Sequence, residues 1–176
     1  MKIIKKFFII SIFIFISLII LSIKSNASSD LLLNNLDFNA FINSDGSMDI
    51  TETWDIKIKD TNTLFKTFKS DSGKYKDITN IQVTDITNGE NKEFRQINTL
   101  MYHVTKNCYY GLINDDGNFE IAWGVGLDNS SDTKKYKISY TVQDAISKHN
   151  DYAQLYWQFI GSDFEINAKK VTGSII

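Results

Sequence analysis

Two runs of strict alternation meet across one turn dipeptide, and that pattern leaves a chain little choice but β-structure. Leu36, Phe38, Ala40 and Ile42 alternate with Asp37, Asn39, Phe41 and Asn43, and Ser44-Asp45-Gly46-Ser47 then interrupts. Met48, Ile50, Trp54, Ile56 and Ile58 alternate with polar residues on the far side. Period-two patterning on both flanks of an Asp-Gly predicts a β-hairpin with one buried face.

Similar runs follow. Asp77–Ile86 alternates through Thr79, Ile81 and Val83; Phe119, Ile121 and Trp123 mark another strand; Tyr136, Ile138, Tyr140 and Val142 form the most regular run. Asn88-Gly89 and Asn114–Asn118 read as turns, and Thr61–Tyr75 and Leu127–Thr133 as loops. Asp151–Gly161 (DYAQLYWQFIG) is the most apolar short span after the leader, and its aromatic enrichment predicts a central core strand. A helical period also fits Tyr152, Leu155, Tyr156 and Phe159, which leaves a short helix open there. In all, about nine strands at roughly ten-residue spacing predict an all-β, antiparallel β-sandwich of the immunoglobulin-like class.

The first 27 residues differ. Met1–Lys6 carries three lysines, Phe7–Ile23 is apolar apart from three serines, and Ser25-Asn26-Ala27 supplies a small-x-small cleavage signal. Residues 1–27 therefore read as a hydrophobic leader helix, either a cleaved signal peptide or an uncleaved membrane anchor. Both readings export residues 28–176 as one domain, with the lysines left inside.

Without the leader, 15 basic side chains face 21 acidic ones. That balance argues against nucleic acid or an anionic membrane surface as the partner. The membrane is expected to be met only through the N-terminal segment or a part missing from the C-terminal side. Cys108 is the only cysteine, so no intramolecular disulfide can form, and it reads as a small buried hydrophobe. His103 and His149 share no metal-ligand spacing and read as surface residues. Asn114–Asn118 lacks the EF-hand pattern, no Gly-x-Ser-x-Gly elbow occurs, and no glycine-rich phosphate loop opens a helix. No cofactor, metal or catalytic residue is expected. Tyr109, Tyr110, Tyr152 and Tyr156 are candidates for a sugar- or peptide-binding face, against a core role.

One residue breaks the opening pattern. Glu52 falls on the apolar face between Ile50 and Trp54. Either the strand end is open to solvent there, or the buried carboxylate pairs with a cation from the next segment, such as Lys66 or Lys69.

Three stretches carry a family resemblance. Phe41–Thr53 (FINSDGSMDITET), Lys135–Val142 (KYKISYTV) and Asp151–Gly161 occur in the order seen in bacterial predicted membrane proteins of domain of unknown function 2207. The third stretch is similar to that family's Ala-x-Leu-Tyr-Trp-x-Phe-x-Gly signature, here Leu155, Tyr156, Trp157, Phe159 and Gly161. The resemblance implies a signal peptide, an exported β-rich domain, then transmembrane helices and a cytoplasmic tail, with no enzymatic activity attached. It also places Lys66 where the family has an arginine, which favours Lys66 over Lys69 as the partner of Glu52. The motif residues offer no acid, base or nucleophile, so they are expected to specify packing. The last residues, Ser174-Ile175-Ile176, stand where the family's strand runs into a proline, so a truncated copy or a free-standing secreted version is expected.

Three functions follow as expectations. The first is a non-enzymatic interaction or sensing module at the cell envelope, with an envelope protein or glycan as partner. The second is a secreted hydrolase using Glu52 or a loop aspartate with His103. The third is a truncated structural remnant of a longer membrane protein.

Overall fold

The computed structural model describes residues 30–70, 75–160, 166 and 168–176. The leader, residues 1–27, and Gly161 lie outside the described residues.

The regular structure of the described residues is β-strand apart from 3-10 turns. The strands are β1 (Leu31–Ile42), β2 (Met48–Phe68), β3 (Asp77–Asp85), β4 (Lys92–Glu93), β5 (Arg95–Gln96), β6 (Cys108–Ile113), β7 (Phe119–Gln143), β8 (Ile146–Lys148), β9 (Ala153–Leu155) and β10 (Val171–Ile175). The main sheet runs β10-β1-β2-β7-β3-β4, with β6 also on β7 and β5 on β6; β8 and β9 form a separate pair. Between β3 and β4 a 3-10 turn, Thr87–Gly89, carries the Asn-Gly dipeptide. No described helix is long and apolar enough to cross a membrane.

The opening hairpin follows directly from its alternation. Ala40 pairs with Ile50 and Leu36 with Trp54. Asp45 accepts hydrogen bonds from the Ser47 backbone N–H and hydroxyl, and Gly46 takes the left-handed conformation at φ 90°. Met48, Ile50, Trp54, Ile56 and Ile58 are all buried.

Four expectations need correction. First, the sheet is mixed, because β10 pairs with β1 and β5 with β6 in parallel. Second, the predicted loop over Thr61–Tyr75 belongs to β2 as far as Phe68. Third, Leu127–Thr133 is not a loop: β7 runs through it, with Leu127 paired to Thr61 and Asp132 to Ile58. Around the bend, at Lys59–Thr63 and Asp128–Ser131, few side chains are buried, yet backbone pairing needs no apolar side chain. Fourth, Asp151–Gly161 is not a central core strand. Only Ala153–Leu155 is extended, on the short β8 partner, and Tyr152 and Tyr156 are exposed. Its apolar residues pack onto the main sheet from the side instead: Phe159 stacks on Phe38 at 4.2 Å, and Trp157 meets Phe68 and Tyr75.

β2 and β7 pair along nearly their full lengths and both fold back on themselves. Trp123 lies 5.9 Å from Tyr136 on the same strand, ring to ring, and 5.3 Å from Trp54. A straight strand would separate Trp123 from Tyr136 by roughly 40 Å at ~3.3 Å per residue. The bend falls where the register slips between Lys59 and Thr63. Asp60 and Asn129 are left-handed there, and the Asn129 N–H donates to Asp60 Oδ1 at 2.8 Å. One half of the ribbon thus carries β1, β10 and β3, the other carries β6, and their apolar faces meet in one core.

A second, smaller cluster lies on the outer side of β7: Val104, Cys108, Tyr110 and Ala122. The chain before β6 crosses this face, with the Asn107 N–H bonded to the Gly124 carbonyl. A Cβ at Gly124 would overlap the Val104 and Thr105 carbonyl oxygens, which are backbone and cannot swing aside. Gly124→Ala is therefore expected to destabilise the fold by about 1–3 kcal/mol, read as a lower urea midpoint. An unchanged midpoint would show that the crossing segment lifts freely.

Candidate functional site

Glu52 sits at the centre of the folded-over ribbon, 1% exposed. Period two puts it on the same face as Ile50 and Trp54, and puts Lys66 on the inward face with Leu64 and Phe68. The bend then brings both onto one locus: Lys66 Nζ lies 2.7 Å from Glu52 Oε1, with the lysine side chain 10% exposed. Tyr140 donates its hydroxyl to Oε1 at 2.6 Å, and Trp54 donates Nε1–H to Oε2 at 2.9 Å. Lys66 also donates to the Phe159 carbonyl at 3.2 Å, which ties the Leu155–Phe159 motif to the buried pair. The Phe68 ring lies 5.4 Å from the ammonium.

This network is chemically closed. Each Glu52 oxygen accepts a charged or buried donor, so the hydrogen-bonding capacity of the buried carboxylate is taken up inside the network. Burial first, and then the neighbouring Glu52 charge, hold the Tyr140 phenol well above its ordinary range. The phenol therefore stays protonated and donating.

The other sequence candidates are dispersed. His103 lies edge-on to Tyr102 at 4.7 Å, and His149 stacks on Tyr152 at 4.3 Å, both on the surface. Tyr109 and Tyr110 are buried, so the four tyrosines do not share a face. Tyr109 donates to the Ile81 carbonyl. Cys108 is buried, with the Arg95 guanidinium 3.6 Å from its sulfur. Asn114–Asn118 is the β6–β7 turn, its Asn114 side chain accepting the N–H groups of Asp116 and Asn118. Among the described residues no three His, Cys, Asp or Glu side chains gather as metal ligands would.

A groove on the outer face holds residues that the sequence did not flag. It has a volume of about 390 Å³, with Thr63, Phe65 and Ala122 on its floor and Met101, Tyr102 and His103 along one wall. Asp60 and Glu120 also line it. Tyr110 donates its hydroxyl to Glu120 Oε1 at 2.7 Å; burial, then that carboxylate, raises the phenol's pKa. Phe65 is 59% exposed and Tyr102 91%. The missed signal was phase: on a strand with Leu64, Lys66 and Phe68 inward, Phe65 must point out.

Together these features define an all-β domain with a mixed, folded-over sheet, closed by a buried ion pair and carrying one aromatic groove. The chain belongs to the family described as predicted membrane protein (DUF2207) N-terminal domain, which matches residues 33–176. No curated protein matches the chain in sequence. Among solved structures, a chain described as a candidate protease from Parabacteroides distasonis ATCC 8503 is similar over 66% of this chain, at 11% identity and a TM-score of 0.34. The matched region is 23% of that longer chain, and a likeness this loose supports no inference about fold or activity.

Two outcomes follow from the network. Lys66→Ala strands a buried carboxylate and should cost about 3–5 kcal/mol. Glu52→Gln combined with Lys66→Met keeps an acceptor oxygen for Trp54, turns an amide N–H toward the Tyr140 oxygen, and should recover most of that loss. Urea unfolding of the single and double variants decides it; a double variant no better than Lys66→Ala rejects the ion-pair account. The second outcome is alkaline. A phenol whose folded pKa is raised stabilises the fold fully below its ordinary value of 10, and that stability is lost as pH rises above it. Tyr140→Phe should flatten the alkaline limb of the stability profile, measured by thermal unfolding across that range.

Proposed function

We propose that this chain is an exported, envelope-facing β-sandwich domain, single over residues 28–176, that works by binding or sensing and not by turnover. The sandwich reading is supported by the ring contacts between the two halves of the ribbon, Trp54 with Trp123 and Phe68 with Tyr140. Export is supported by the three lysines of Met1–Lys6, the apolar Phe7–Ile23 and the cleavage signal ending at Ala27. Family membership supports association with a membrane.

The observation that carries the non-enzymatic reading is the state of Glu52. It is the carboxylate a hydrolase would most readily recruit from the interior. Yet its oxygens are held by Lys66, Tyr140 and Trp54, with no opening toward a substrate. The partner is an envelope protein or glycan.

One observation favours a second reading, a secreted hydrolase with a loop-borne site: His103 shares the groove with Asp60 and Glu120. The threonine hydroxyls of that lining are engaged by backbone, Thr61 donating to the Lys59 carbonyl and Thr63 accepting from the Val104 N–H.

Purified protein assayed with peptide, ester and glycoside substrates should show no turnover above a His103→Ala control. N-terminal sequencing of the exported form should begin at Ser28. Turnover that disappears in His103→Ala would replace the binding reading with the hydrolase; a chain beginning at Met1 would replace the cleaved leader with an anchor.

A further inference from the structure

We propose that the groove beside β2 docks a basic peptide segment of an envelope partner, seating a lysine or arginine side chain between Phe65 and Tyr102. This rests on the binding-module reading and adds to it the site and the chemistry of the partner.

The groove is built, not incidental. Its floor is the outward face of β2, where Thr61, Thr63 and Phe65 alternate with the inward Leu64 and Lys66. Its wall is the segment before β6, held in place where the Val104 N–H donates to Thr63 Oγ1 at 2.8 Å and where it crosses Gly124. His103 lies edge-on to Tyr102, ring centroids 4.7 Å apart. Phe65, Met101 and Tyr102 are exposed together in the lining of this one groove. A clustered patch of this kind marks an interaction surface.

Charge selects the occupant. Asp60 and Glu120 line the groove and no lysine or arginine does. Both carboxylates are fixed in advance, Asp60 by the Asn129 N–H and Glu120 by the Tyr110 hydroxyl. Basic side chains gain from the two acids and from the faces of Phe65 and Tyr102, whereas a phosphate or acidic glycan meets an opposing field. Spacing favours a peptide over a small free amine. Glu120 lies across from Thr67, so the acids stand at most on the order of 20 Å apart along β2 at ~3.3 Å per residue. An extended chain can follow the groove along β2 and present basic side chains to both acids.

The full chain in non-ionic detergent, titrated calorimetrically, tests this. The probe is a synthetic glycine-serine peptide carrying two lysines about six residues apart; the controls are the same peptide with glutamates and a neutral chito-oligosaccharide. The lysine peptide should bind, and weaken with added salt. Phe65→Ala and Tyr102→Ala should each weaken it about tenfold, and Glu120→Gln by a similar factor with a smaller salt dependence. Phe41→Ala, an exposed aromatic on β1, should change nothing. Unfolding midpoints of the exposed-site variants check that each is folded. Equal binding of the glutamate peptide, no binding of the lysine peptide, or binding indifferent to Phe65 and Tyr102 overturns the proposal. Oligosaccharide binding that depends on Phe65 and Tyr102 also overturns it but leaves the binding-module reading standing. Cleavage of the peptide would sink that reading instead.

Discussion

The structure hinges on one contact within a single strand. Glu52 and Lys66 both belong to β2, and in a straight strand they would stand roughly 45 Å apart at ~3.3 Å per residue. Their charged atoms are 2.7 Å apart. The ion pair therefore exists only when the ribbon is folded over, and it fixes how far and in what register the two halves close. An apolar interface alone tolerates sliding and repacking. A buried ion pair does not, because a shifted register leaves a charge unpaired at a cost of several kcal/mol. Its worth here is specificity more than net stability, and Tyr140 and Trp54 extend that specificity to the neighbouring strand and the core.

The segment from Leu155 to Phe159 completes the enclosure. Phe38 is the cross-strand partner of Glu52, and the Phe159 ring lies flat on Phe38 while the Phe159 carbonyl accepts from Lys66. Trp157 covers Phe68 next to the ammonium. These contacts keep water from the pair and so keep the local dielectric low, which strengthens every bond in the network. The motif is thus a strap across the side of the folded ribbon.

This explains which parts of the chain could be read from sequence. The opening hairpin was legible because one face is buried along its whole length, so its alternation is unbroken. Glu52 was legible for the same reason, as a charge in an apolar phase, and the family pattern singled out Lys66. The length of β2 and β7 was hidden. Across Lys59–Thr63 and Leu127–Ser131 both faces are wet, Asp and Asn replace the apolar residues, and the composition is that of a loop although the backbones are paired. The strap misled in the opposite direction. Its density of aromatics matches a core strand, but aromatics also serve where a segment lies across strand edges with one face in solvent, and Tyr152 and Tyr156 take that outer side. Leu155, Trp157 and Phe159 pack against the core while Tyr156 lies exposed outside it, and the stretch is a short β9 and a strap where a central core strand was expected.

The groove was invisible for a reason that connects it to the ion pair. Leu64, Phe65 and Phe68 look like one apolar patch when the stretch is taken as a loop. Once Lys66 is committed inward to Glu52, period two leaves no freedom: Leu64 and Phe68 follow it into the core, and Phe65 must face out with Thr63 and Thr67. The same register that closes the interior thus sets the outer surface. A one-residue slip in β2 would bury Phe65, expel Lys66, and erase the ion pair and the groove together. The buried lock and the exposed face are two sides of one strand, so the shape of the surface is fixed from inside the core.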